Sequence, residues 1–275
     1  MPITKTYYKV HRCFPDPDYF YLENISGSTT QFMVVKNGTP ASTDLAYSLD
    51  KVTWTDIHNG GTISNVANNA KVYFRSTTGF STGESNGYRF ISGDGNTKGP
   101  SFNAGGHIAT LFNYLNVEGV TEIPVGGLYN LFAPLTCSIV HANIDFYGIK
   151  TIKQYGCAQM FNGRSDLITI PDFSSVETLE GYSLYYTFTN CSALTTPADL
   201  SNVTSWDVAS MRYLYSGCSS LTEAIAPNIS SWRQDFSYNW LENTAATGVV
   251  RKPAGLTITA DSASGVPTGW TTEDY

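Results

Sequence analysis

From Tyr19 to about residue 95 the chain alternates apolar and polar positions in short runs separated by turn residues. "YFYLENIS", "TQFMVVKN", "LAYSLD", "VTWTDI" and "KVYFRST" follow one another, with Asn37-Gly38 and Asn59-Gly60-Gly61 as punctuation. Period-two alternation rich in aromatic and β-branched residues predicts strands, and the close punctuation predicts a β-sandwich-like module over residues 18–95. "PDPD" at 15–18 reads as a turn-prone hinge, so residues 1–17 are expected to form an N-terminal arm.

Beyond the Gly- and Ser-rich stretch 81–106 the pattern changes to a repeat. "FNGRSDLITIPDFSSV", "FTNCSALTTPADLSNV" and "YSGCSSLTEAIAPNIS" begin at Phe161, Phe188 and Tyr215, each 27 residues after the last. The clear coils run 157–183, 184–210 and 211–237, with a degenerate earlier one around "LYNLFAPLT" at 128–136. Like residues form columns: Phe161, Phe188 and Tyr215; Leu167, Leu194 and Leu221; Phe173 and Leu200; Met160, Leu214 and Leu241. With Leu184 and Met211, most of these make up the expected core.

Within a coil the apolar positions fall at i, i+3, i+4 and i+7, as in Met211, Leu214, Tyr215 and Cys218. That spacing predicts a short helical segment, closed by a left-handed residue at Gly163, Asn190 or Gly217. The Leu that follows and its β-favouring run predict a short strand, and Pro171 and Pro197 then turn the chain back. No single coil encloses its own apolar face, and each buried Leu or Phe contributes roughly 1.5–3 kcal/mol, so stacking supplies the stability. A period of 27 lies within the leucine-rich-repeat range. The expected architecture is mainly β: the N-terminal module, a solenoid with short helical segments over 96–245, and a capping segment at 246–275.

Composition narrows the function. Only 14% of the 275 residues are charged, the net charge is −7, and no Lys/Arg run occurs, which argues against nucleic-acid partners. No stretch is long and apolar enough for membrane insertion, and "MPITKTYYKVHRCFPDPDYF" lacks an export h-region, so synthesis in a host cytoplasm is expected. The five cysteines lack CxxC spacing. Cys191 and Cys218 lie one coil apart and read as buried free thiols before they read as a disulfide. His11 with Cys13 has no partner pair for a metal, and "GDGNTKG" at 93–99 reads as a turn, so no metal or cofactor is expected. His58, His107 and His141 are scattered, and no Gly-x-Ser-x-Gly, P-loop or HExxH appears; no catalytic residue is assigned and the chain is expected not to be an enzyme.

"YTFTNCSALTTPADL" and "LYSGCSSLTEA" resemble the BspA-like leucine-rich repeats, whose units read Met-Phe-x-Gly-Cys-x-Ser-Leu. "LAYSLDKVTWTDI" resembles the β-module that often precedes such repeats, and "NWLENTAATGVVRKPAGLTITADSASGVPTGWTTEDY" the ending that often follows them. The likeness covers about 20–275; Arg164 stands where the family has Cys, and Thr187 where it has Met. These repeats occur in surface proteins of gut Bacteroidales and in their tailed (crAss-like) phages. The resemblance implies a structural or adhesive virion protein, such as a head fibre, capsid decoration or tail component, on the virion surface and assembled as a homotrimer. A bacterial cell-surface adhesin with the same modules is the alternative. Tyr7, Tyr8 and Phe14 on the arm are the candidate attachment residues to other virion proteins. Tyr186, Tyr213 and Trp240 fall in one column with Tyr185 and Arg212 beside it, and Trp206 and Trp232 lie on the return segment. These seven are the candidate contacts to a host glycan or protein.

Overall fold

The computed structural model describes residues 18–37, 44–57, 60–77, 87–133, 136–261 and 263–275. The expectations for Tyr7, Tyr8, His11, Cys13, Phe14 and His58 fall outside the described residues. The described chain is mainly β, and its helices span four residues or fewer.

The N-terminal strands are β1 (Phe20–Asn24), β2 (Thr30–Asn37), β3 (Ala46–Ser48), β4 (Thr55–Asp56), β5 (Gly61–Val66), β6 (Lys71–Arg75), β7 (Gly87–Ser92) and β8 (Phe102–His107). Alternation sets their faces: Phe20 and Leu22 point inward on β1, Val72 and Phe74 on β6, while Tyr21 and Tyr73 oppose each other outside. After a helix α1 (Thr110–Asn113) come β9 (Glu122–Ile123) and β10 (Ile139–Asp145). One sheet runs β10-β8-β1-β6-β3-β4 and a second β5-β2-β7. Their inner faces meet through Phe20 and Phe90 at 5.6 Å, Phe74 and Phe90 at 4.7 Å, and Phe32 and Phe102 at 5.5 Å.

The sheet does not stop at residue 95. β8 pairs antiparallel with β1, and β10 pairs parallel with β8, so residues 102–145 contribute two of its strands. Phe132, from the degenerate coil, touches both Phe90 and Phe102 at 6.1 Å, which fuses the module and the repeats into one core. Gly106 makes the crossing possible: its φ is +79°, and an added Cβ would overlap the Tyr19 carbonyl oxygen. Gly106→Ala is expected to cost about 2 kcal/mol or more, read as a lowered denaturant midpoint. An unchanged midpoint would show that the strand shifts freely there.

The repeat region stacks in parallel register. β9, β11 (Thr151–Ile152), β12 (Thr178–Leu179) and β13 (Ser205–Trp206) form a ladder in which Glu122, Thr151, Thr178 and Ser205 are successive partners. β14 (Glu223–Ile225), a four-residue helix α2 (Gln234–Ser237), β15 (Gly248–Lys252) and β16 (Trp270–Asp274) follow, the three strands again parallel. The last thirty residues therefore extend the parallel stacking. Leu167, Leu194 and Leu221 are all fully buried, as are Met160, Phe161, Leu184, Phe188, Met211, Leu214 and Tyr215, and Leu241 is 2% exposed. Phe132, Phe161, Phe188 and Tyr215 stack in file, with centroids 5.3, 5.6 and 5.7 Å apart and rings within 18° of parallel.

The helical segments expected at the start of the three clear coils do not form. Their place is taken by overlapping turns: Met160 N–H donates to the Cys157 carbonyl and Arg164 N–H to that of Phe161, three residues back. The alternate N–H groups instead donate across to the next layer of the stack. Cys157 donates to Ser183 (3.0 Å), Phe161 to Thr187 (2.9 Å), Leu184 to Ser210 (2.8 Å) and Phe188 to Leu214 (3.0 Å). Every fourth residue has positive φ to make this possible: Tyr155, Gln159 and Gly163, then Tyr182, Tyr186 and Asn190, then Ala209, Tyr213 and Gly217. Helix and stacked turns both place apolar side chains at i, i+3, i+4 and i+7, and the lateral hydrogen bonds between coils decide for the turns. The left-handed residues expected at Gly163, Asn190 and Gly217 are present. The strand expected after each repeated Leu forms after Leu221 as β14; after Leu167 only isolated bridges form, His141 to Thr169 and Asp145 to Asp172. The regular strands lie later in each coil, at 178–179 and 205–206.

Candidate functional site

The left-handed turn positions carry an unusual residue type. Such φ values ordinarily favour Gly or Asn, and each bulky side chain placed there costs on the order of 1–3 kcal/mol. Here Tyr155, Tyr182, Tyr186 and Tyr213 occupy them, with φ between 55° and 58°. These rings gather with Tyr129, Tyr185 and Tyr238 into a belt across successive coils, all half-buried except the exposed Tyr238. Centroids run 6.4 Å from Tyr129 to Tyr155, 5.0 Å to Tyr182, 5.4 Å to Tyr185, 4.4 Å to Tyr186, 4.4 Å to Tyr213 and 5.7 Å to Tyr238.

Tyr155 and Tyr182 stack nearly parallel, at 14°, and Tyr186 and Tyr213 at 13°; the other contacts are edge-on. Ring faces are thus largely used within the belt. The belt is a packed row of rings that also carries phenol hydroxyls. Burial first, then the neighbouring Tyr185 and Tyr213, pushes the Tyr186 phenol well above the usual tyrosine range, so it stays a neutral donor and acceptor. Gln159 Nε2 donates to the Tyr129 hydroxyl at 3.0 Å.

Arg212 sits at one end of the belt. Its guanidinium carbon lies 5.4 Å from the Tyr213 ring centre and 5.0 Å from that of Tyr238. Six other basic side chains beyond residue 96, Lys98, Lys150, Lys153, Arg233, Arg251 and Lys252, each reach a carboxylate. Among the described residues Arg212 reaches none, and its buried Nε–H has no acceptor.

The structure therefore brings Tyr185, Tyr186, Arg212 and Tyr213 together, and it separates the three tryptophans from them. Trp240 is 1% exposed, and its indole N–H donates to the Gly265 carbonyl at 2.9 Å. The coil-to-coil step after Tyr213 is one residue shorter: Tyr213 N–H meets the Tyr238 carbonyl and Tyr215 N–H that of Trp240. Asn239, φ 55°, thus takes the place expected for Trp240, which moves into the interior beside the Leu214 position. Trp232 packs on Phe236 at 4.8 Å and Trp240 at 5.2 Å, and its indole N–H donates to the Ser264 carbonyl. Trp206 lies on β13, 4.3 Å from Phe236, with Arg233 over its ring at 5.2 Å. It also walls a shallow groove of about 510 Å³ whose other sides include Asn228, Ser230 and Ser231. Tyr129, Tyr155, Tyr182 and Tyr238 were not singled out by sequence; the 27-residue spacing of Tyr155 and Tyr182 was the available signal.

The thiols are structural. Cys191 Sγ–H donates to the Phe161 carbonyl at 3.3 Å and Cys218 Sγ–H to that of Phe188 at 2.9 Å, each reaching back to the preceding coil. Both are free, as are Cys137 and Cys157. Burial pushes the Cys137 and Cys218 thiols up to about 12 and the other two up as well, so none supplies a thiolate near neutral pH. Arg164, standing in the same column, donates to the carbonyls of Cys137, Ala133 (3.4 Å) and Asn162 (3.3 Å). Among the described residues no three His, Cys, Asp or Glu side chains converge as metal ligands. Comparison with known proteins returns no matching family model, no matching curated protein and no matching solved structure.

Proposed function

We propose that the chain is a non-enzymatic structural and adhesive virion protein of a bacteriophage, a head fibre, capsid decoration or tail component. In this reading a β-sandwich-like module carries a BspA-like leucine-rich-repeat solenoid. The observation that supports it is the in-register stacking of coils 27 residues apart, with Thr151, Thr178 and Ser205 as partners and Phe161, Phe188 and Tyr215 in file. Such a stack is a rigid scaffold whose outward side chains vary without disturbing the core. The tyrosine belt is then the face offered to a host surface glycan or protein. Tyr7, Tyr8 and Phe14 attach the arm to the other virion proteins, and the chain assembles as a homotrimer.

Mass spectrometry of gradient-purified virions is expected to find the chain among the particle proteins. Sedimentation of the purified chain is expected to give three times its 30.0 kDa mass. Recovery from the envelope of the bacterium and never from particles would overturn the virion reading in favour of the cell-surface adhesin.

A further inference from the structure

The tyrosine belt is a long, narrow track with a guanidinium against it. It crosses five coils, from Tyr129 to Tyr238, and at roughly 4.8 Å per parallel step it extends over about 19 Å. Its polar atoms are phenol oxygens on half-buried side chains, which both donate and accept hydrogen bonds, as sugar hydroxyls do. At one end the Arg212 guanidinium, framed by Tyr213 and Tyr238, lacks among the described residues the carboxylate partner that six other basic side chains of the repeat region have. A planar guanidinium fixed beside aromatic rings suits a carboxylate supplied from outside. A single guanidinium against the belt, in a chain of net charge −7, does not suit a polyanion that carries charge on every unit. It suits an extended hydroxyl-rich chain with an occasional acid group.

We propose that the belt binds a linear saccharide bearing a uronic- or sialic-type carboxylate, with Arg212 holding the acid and the tyrosine hydroxyls holding the adjoining sugars. The left-handed tyrosines fit this role. Strain at Tyr155, Tyr182, Tyr186 and Tyr213 fixes the phenols on one face before any ligand arrives, which lowers the ordering cost of binding. The inference rests on reading the chain as a surface-binding repeat scaffold and names the ligand class of that surface.

The test titrates the full chain with a panel of uronic- and sialic-acid oligosaccharides and with the methyl esters of the same compounds, by calorimetry. Esterification removes the charge and keeps the hydroxyls. At least one free acid is expected to bind, and its ester to bind about tenfold or more weaker. Arg212→Gln is expected to bring the acid down to the level of the ester while leaving the ester unchanged, and Tyr186→Phe to weaken both. An unaltered thermal midpoint and circular dichroism spectrum in each variant excludes misfolding, and raised salt should weaken the acid alone. Binding of no acid, equal binding of acid and ester, or an Arg212→Gln protein that retains the preference overturns the proposal. Loss of self-association in Arg212→Gln without any saccharide binding also overturns it and makes the belt a contact between copies. A chain that is present in purified virions and yet fails this titration loses the saccharide inference alone; a chain absent from virions loses the virion reading instead.

Discussion

Phe188→Ala is expected to cost about 3–5 kcal/mol of folding stability. Phe188 is fully buried in the middle of the ring file, 5.6 Å from Phe161 and 5.7 Å from Tyr215, with Phe173 edge-on at 6.1 Å. Truncation removes the transfer energy of the ring and leaves a cavity between two coils whose backbones are pinned by the Phe161-to-Thr187 and Phe188-to-Leu214 hydrogen bonds. Those bonds oppose collapse into the gap. Phe188→Leu keeps the site apolar and close in volume, and about 1.5 kcal/mol or less is expected. Thermal unfolding followed by circular dichroism separates the two, the alanine variant melting on the order of 10 °C lower. A midpoint within a degree of the parent would mean that the rings do not pack as a file.

The second large effect falls on Arg164, which is 4% exposed. Its side chain takes the column position that Cys191 and Cys218 occupy in later coils, and like them it reaches the preceding coil. Its fork holds the carbonyls of Cys137 and Ala133 at once, which bridges the region between the degenerate coil and β10. Arg164→Ala leaves these acceptors buried without that donor and opens a cavity; at about 1–3 kcal/mol per orphaned group, a loss of about 3 kcal/mol or more is expected. Arg164→Lys keeps the charge but cannot span two carbonyls with one planar fork, so most of the loss should remain. Hydrogen exchange provides the sharper readout: amides of 128–142 should lose protection in Arg164→Ala well before those of 184–218. Uniform loss over both regions would contradict a local bridge.

The 27-residue period was legible because interior positions repeat side-chain type, and Phe161, Phe188 and Tyr215 do stack where the columns place them. The turn ladder was not legible, because its apolar spacing is that of a helix. The sign that separates them is the left-handed residue every fourth position, and a tyrosine at Tyr182, Tyr186 or Tyr213 hides that sign where an Asn or Gly would display it. Trp240 was misplaced because a strict 27-residue count overran a step shortened by one residue near α2, and the carbonyls of Phe236, Tyr238 and Trp240 record the shift. The parallel pairing of β10 with β8 joins segments some forty residues apart, and neither "FNAGGH" nor "IVHANID" signals the other. The belt was half legible. Tyr185, Tyr186, Arg212 and Tyr213 stood out, whereas the placement of Tyr129 and Tyr238 depends on turn geometry that no local pattern carries.

The central claim is that successive coils bury like side chains against one another. Nuclear Overhauser contacts among the assigned rings of the core test it most directly. The account predicts strong contacts between Phe161 and Phe188 and between Phe188 and Tyr215, with none between Phe161 and Tyr215. Assigned rings that show no contact between Phe161 and Phe188, or that place Phe161 directly against Tyr215, would contradict it.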